Sequence, residues 1–254
     1  MEQNFILGVR IDNFNKKELF EKIEGFFLEE KFHQIATINP EFILEAQKNL
    51  GFKNILNNCA LNVADGFGIK LAFWRFGKHL KARIAGADLM SKVLKIADKK
   101  KLSIFLAINK DGLSTFEEIK NAILKIYPEL KINGRDFDCH SSENGNPVSN
   151  HSVFTLDSRI CGNDTILFCN FGAPYQEIFI NSQKCDTIRL AMGVGGSFDF
   201  LTEKVRRAPK FLSFLGLEWL WRTFQLQEWK FKKERLHRIF HAVIIFPIKI
   251  IIKK

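Results

Sequence analysis

An α/β fold, with a Rossmann-like and mostly parallel sheet flanked by helices, is predicted by two features of the first 200 residues. Short apolar runs alternate with stretches of helical periodicity, and Asn, Asp, Gly and Pro gather where the runs end. A third feature, charge, sets the last fifth apart. Residues 204–254 hold 13 Lys and Arg against 3 acidic residues, whereas residues 1–203 hold 25 of each sign. The chain therefore reads as an α/β body over 1–201 and a basic, aromatic, helical appendage over 202–254 that associates with a membrane.

The elements follow in order. Phe5 to Val9 is expected to be a strand, and Asn15-Lys-Lys-Glu18 has the form of a capping box opening a helix to about Glu30. Gln34 to Ile38 is a second strand, after which Asn39 as N-cap and Pro40 at the first helical position begin a helix. Ala60 to Ala64 is a strand ending at Asp65-Gly66, followed by a helix through Phe76 and another over Gly86 to Lys100. Ser103 to Ile108 is a strand, Leu113 to Tyr127 a helix stopped by Pro128, and Leu130 to Ile132 a short strand. Thr165 to Asn170 and Ile188 to Val194 complete the sheet around a helix at about Pro174 to Ser182. Residues 139–164 are polar, rich in Ser and Asn and without a helical stripe, so they read as an inserted loop with no catalytic role.

Composition excludes several classes. The five cysteines (Cys59, Cys139, Cys161, Cys169 and Cys185) are widely spaced and form no CxxC or Cys/His pattern, which argues against structural zinc and a disulfide framework. The N-terminus has no basic start followed by an apolar run, so no signal peptide is expected. Ala242 to Ile252 is apolar, but Pro247 and Lys249 interrupt it, and a bilayer span takes about 20 apolar residues. A cytoplasmic protein with peripheral membrane contact is the expectation. Its neutral body argues against a surface coated for nucleic acid, although a basic tail alone is also compatible with RNA binding.

Ligands of open α/β sheets bind at the carboxyl ends of strands. Asp65 sits at such an end, before two glycines that allow close approach, and suits a general base; the competing reading is a cap for the next helix. Thr37 and Asn39 fall at another strand end, Asn39 with an obvious capping role. Gly193-Val194-Gly195-Gly196 follows a strand and could cradle a diphosphate or merely turn the chain. It lacks both the G-x-G-x-x-G pattern and a following G-K-[ST], so neither a nicotinamide cofactor nor ATP is supported. In the appendage, Trp219, Trp221 and Trp229 mixed with Lys and Arg fit a helix at a bilayer interface, cations toward anionic lipid.

Six collinear stretches resemble the WecG/TagA/CpsF glycosyltransferases: ATINPEF (36–42), VADGFGIKLA (63–72), RIAGADLM (83–90), FGAPYQE (171–177), GVGGSFDFLTEKVRRAPKF (193–211) and LGLEWLWR (215–222). The resemblance implies inverting transfer of N-acetylmannosamine, or its uronic acid, from a UDP donor. The implied acceptor is N-acetylglucosamine on an undecaprenyl diphosphate carrier at the inner face of the cell membrane, with no metal and no cofactor. Asp65 then matches the family's general base, Thr37, Asn39 and Arg83 its pocket residues, and Gln176 the glutamine of its GAPxQE motif. Gly193, Gly195 and Gly196 match a nucleotide-binding loop, and Arg206, Arg207 and Arg222 the arginines that close over the diphosphate. The chain departs from the family at the 139–164 insert and at Gln225-Leu-Gln-Glu228, which stands where a Gln-Glu-Pro run is usual.

Overall fold

The structure, a computed structural model, describes residues 4–138, 165–209, 212, 221, 223, 225, 236 and 238–252. A hairpin of β1 (Asn4–Ile6) and β2 (Val9–Ile11) leads into α1 (Lys16–Phe26), β3 (His33–Ile38), α2 (Pro40–Ala46), α3 (Leu50–Asn58) and β4 (Leu61–Ala64). Next come α4 (Phe67–Arg75), α5 (Gly86–Lys100), β5 (Ser103–Asn109), α6 (Phe116–Ile126) and β6 (Lys131–Phe137). After the insert follow β7 (Thr165–Cys169), α7 (Tyr175–Ser182), β8 (Ile188–Gly193), a 3-10 turn (Gly195–Ser197), α8 (Phe198–Leu201) and finally α9 (Phe246–Ile252).

Six strands form one parallel sheet in the order β4-β3-β8-β7-β5-β6. β3, β4 and β7 are buried along their whole length, as strands covered on both faces must be. One face carries α1, α5, α6 and Phe198 of α8 in a single apolar cluster. The other carries the hairpin with α2, α3 and α4 at one end and α7 at the other. The chain leaving β3 turns to the second face, whereas the chain leaving β8 turns to the first. Because β3 and β8 are neighbours, a crevice opens between their carboxyl ends, the position where open sheets hold ligands.

Most expected elements are present, and α5 spans the residues anticipated for it. The capping box is formed: the Asn15 side chain accepts from the Glu18 N–H and the Glu18 carboxylate from the Asn15 N–H. The helix it opens, α1, ends at Phe26 rather than near Glu30. The expected strand Phe5 to Val9 is instead a hairpin, because Leu7 and Gly8 both take positive φ (49° and 77°) and reverse the chain. Leucine seldom adopts that conformation, so the turn carries little signal in sequence. The short strand at Leu130 to Ile132 extends to Phe137. It is the edge of the sheet, where alternate residues face solvent and can be polar. The 139–164 insert lies outside the described residues.

Pro247 does not end the terminal helix. Residues 238–252 are continuously helical, with a π turn at His241–Ile245 in which the Phe246 N–H donates to the His241 carbonyl. A wider turn just before proline relieves the clash its ring would make with the preceding turn.

Candidate active site

At the end of β4 the Asp65 N–H donates to the Ile38 carbonyl at 2.8 Å, joining the exits of β4 and β3. Gly66 takes φ +84°, and a Cβ there would sit 3.7 Å from Pro40 Cδ, so the Asp65-Gly66 turn lies against Asn39-Pro40. Asp65 does not cap the helix that follows it. The N-cap of α4 is Gly66, with no side-chain bond, and the Asp65 carboxylate instead accepts from the Gly86 N–H at 3.2 Å, at the start of α5. A 15-residue helix thus aims its positive end at a half-exposed carboxylate. A Cβ at Gly86 would lie 3.5 Å from Thr37 Oγ1 and 3.7 Å from Asp65 Oδ2, which places the buried Thr37 hydroxyl beside that carboxylate. Asn39 accepts from the Phe42 N–H at 3.1 Å and so caps α2. Arg83 is half-buried, and its neighbour Ile84 donates to the Ala64 carbonyl at 3.1 Å, which puts Arg83 beside the end of β4.

Across the crevice, Gln176 ties two loops together. Its Oε1 accepts from the Gly172 N–H at 3.2 Å and the Gly195 N–H at 3.1 Å, linking the exits of β7 and β8. Its Nε2 donates to Glu177 Oε1 at 2.7 Å. Gly193 makes this arrangement possible, since a Cβ there would fall 2.5 Å from Glu177 Oε1 and closer still to the Gln176 amide. Glu177 is 1% exposed, and burial pushes its carboxyl up to about 8 despite the hydrogen bond from Gln176. Gly195 has φ +47° and begins the 3-10 turn that includes Gly196.

Helix α5 connects these groups to the appendage. It packs against the Gly195–Ser197 turn, and Asp88 in its first turn pairs with Arg207 at 2.9 Å while the Arg207 guanidinium stacks on Phe200. Arg207 is thereby held two residues along α5 from the N–H that binds Asp65. Arg206 is placed differently. Its side chain is exposed, and the hydrogen bonds at this residue are made by its backbone, to Gln225 and to the Trp221 indole. Arg222, Trp219 and Trp229 lie outside the described residues. The neck itself is bolted down by Ser114 bonded to Asp199 and Thr202, and by Lys204 on Glu118 at 2.7 Å, which holds that carboxylate below its ordinary range.

The far end of the appendage returns to the body. Arg238 pairs with Glu41 in the first turn of α2 at 2.7 Å, while Phe246 and Ile250 are buried in the cluster of α2 and α4, Phe246 within van der Waals range of a Cβ at Gly68. The outward side exposes Phe240, Val243, Ile244, Ile248, Ile251 and Ile252, and α4 exposes Phe67 and Trp74. Among the described residues, no helix is long and apolar enough to cross a membrane.

Residues 5–251 match the profile of the glycosyl transferase WecG/TagA/CpsF family. The chain belongs to this family. An N-acetylglucosaminyldiphosphoundecaprenol N-acetyl-beta-D-mannosaminyltransferase of Bacillus subtilis (strain 168) is 30% identical over 238 residues, covering 92% of this chain and 87% of the relative. The enzyme of that name from Staphylococcus aureus (strain MRSA252) is 30% identical over 250 residues, covering 96% and 91%. That of Bacillus spizizenii is 31% identical over 191 residues, covering 74% and 69%.

Three residues of this crevice are not singled out from the sequence. Gly86 is expected only as the start of a helix, and Asp88 and Glu177 are assigned no role. Sequence offered one usable sign, the adjacency of Glu177 to a glutamine at the mouth of a strand. Its burial depends on the missing side chain at Gly193, sixteen positions away.

Proposed function

We propose that the protein transfers N-acetylmannosamine, or its uronic acid, from a UDP donor to N-acetylglucosamine-diphospho-undecaprenol. The observation that carries this reading is the Asp65 carboxylate, half-exposed at the crevice between β3 and β8 and set by the head of α5. In the proposed step Asp65 takes the proton of the acceptor hydroxyl as its oxygen bonds the anomeric carbon. The bond from that carbon to the diphosphate oxygen breaks, and UDP leaves with the electron pair. From an α-linked donor this single displacement inverts the centre and yields the β linkage in the relatives' names.

The Gly193–Gly196 loop, whose glycines place no side chain in the way, would lie against the donor diphosphate. Arg207 and Arg83 would offset charge on departing UDP, so the step needs no metal ion in this reading; Arg206 and Arg222 are the further candidates. Thr37 would order the acceptor beside the carboxylate. Peripheral docking on an anionic inner-membrane surface through residues 204–254 is supported by the apolar outward side of 238–252 beside Arg238 and Lys249.

The test is incubation of the purified protein with UDP-N-acetylmannosamine and a short-chain lipid-diphosphate N-acetylglucosamine, following UDP release and product linkage. Acceptor-dependent UDP release with a β-linked disaccharide is expected. Absence of release with this donor and with its uronic acid would overturn the reading, and sedimentation with phosphatidylglycerol vesicles tests the docking surface separately.

A further inference from the structure

We propose that Glu177 is a positioning residue, whose carboxyl oxygen fixes the Gln176 amide and thereby the Gly172 and Gly195 N–H groups at the donor end of the crevice. The amide has two orientations, and only one lets Oε1 accept from both glycines while Nε2 finds an acceptor. Glu177 Oε1 is that acceptor. Without it, an inverted amide would turn its NH₂ group toward two backbone donors and release both loops. Gly193 gives a second, independent sign, because the backbone of β8 omits a side chain where the amide and the carboxyl meet.

The remaining oxygen, Glu177 Oε2, is buried and has no hydrogen-bond partner among the described residues. An ionised carboxylate would leave bare charge at that atom, whereas the protonated acid leaves a single O–H. Gln34 of β3 donates to the Glu177 backbone carbonyl and offers no charge. From the end of α3 the facing titratable group is Cys59, whose thiol burial pushes up to about 12 and so keeps neutral. Beyond Cys59 stand Arg10, Asp12 and Lys184, of mixed sign. Glu177 therefore works as the neutral acid. Its folded value lies above the ordinary 4.5, so the site bears no ionisation penalty below that pH and bears it in full once pH passes about 8.

This inference rests on the reading of the Gly193–Gly196 loop as the diphosphate cradle, and the experiment separates the two. UDP binding to the full-length protein is titrated from pH 6.5 to 9.5 for wild type, Glu177→Gln and Glu177→Ala. If only the neutral acid holds the loops, the wild-type Kd rises about tenfold by one pH unit above 8. Glu177→Gln keeps the acceptor and cannot ionise, so its Kd, relative to its own value at pH 7, is expected to stay level. Glu177→Ala binds UDP more weakly than wild type at pH 7, and the difference narrows above pH 8 as wild type ionises. Parallel profiles for wild type and Glu177→Gln would overturn the proposal, as would Glu177→Ala binding with wild-type affinity at pH 7. If wild type binds no UDP, the cradle reading fails instead, and amide hydrogen exchange still decides the positioning role. Faster exchange at Gly172 and Gly195 in Glu177→Ala supports it, and unchanged exchange refutes it. Should Glu177→Ala fail to fold, the Glu177→Gln profile for UDP and for exchange carries the test alone.

Discussion

Two carboxyl groups flank one crevice, Asp65 at the end of β4 and Glu177 in the first turn of α7, and their surroundings differ completely. Asp65 is half-exposed and takes an N–H from the head of a 15-residue helix. Glu177 is sealed beneath a glycine, with one oxygen lacking a partner among the described residues and burial raising its carboxyl to about 8. In the proposed reading the same chemical group accepts a proton on one side and remains a neutral scaffold on the other. Environment assigns the role, as in other sites where paired acids divide the work.

That comparison is broken most severely by amides at each position. Asp65→Asn is expected to lower kcat by about 10²–10⁴-fold with the fold intact, the loss typical of removing a general base. Glu177→Gln, measured in the same assay at pH 7, should fall by at least roughly tenfold less, since it preserves the acceptor Gln176 uses. Equal losses would erase the distinction between the two acids.

The packing beneath each acid gives the next tests. Phe246→Ala empties a fully buried site against α2 and α4, and is expected to cost about 3–5 kcal/mol in denaturant unfolding. Gly193→Ala forces a methyl group against the Gln176 amide and Glu177, costing about 1–3 kcal/mol and weakening UDP binding. The first variant perturbs the Asp65 side, the second the Glu177 side. The smallest effect belongs to Asp88→Ala, whose partner Arg207 is two-fifths exposed, so stability should change by about 0–1 kcal/mol. Arg207→Ala, with similar stability, is expected to slow UDP release by at least about tenfold, and no change in rate would remove this arginine from the leaving-group role.

Much of this was legible in the residues. Asn15 with Glu18 and Asn39 with Pro40 announce two helices through local hydrogen bonding, and β7 announces itself through the apolar run Ile166 to Cys169. Asp65 is visible as a strand-end acid, but its partner Gly86 lies 21 positions away across the crossover to α5, beyond any local pattern. Glu177 is harder still. A charged residue in the first turn of a helix ordinarily faces water, and only the joint placement of Gly193, Gly172 and Gly195 reveals that this one does not. The Leu7-Gly8 turn failed for a simpler reason: leucine carries no preference for positive φ.

The account stands most directly on Asp65→Asn assayed for UDP release from UDP-N-acetylmannosamine with the lipid-linked acceptor, alongside its affinity for UDP. Turnover lost with UDP binding retained is the predicted result. Wild-type turnover in the variant would contradict it.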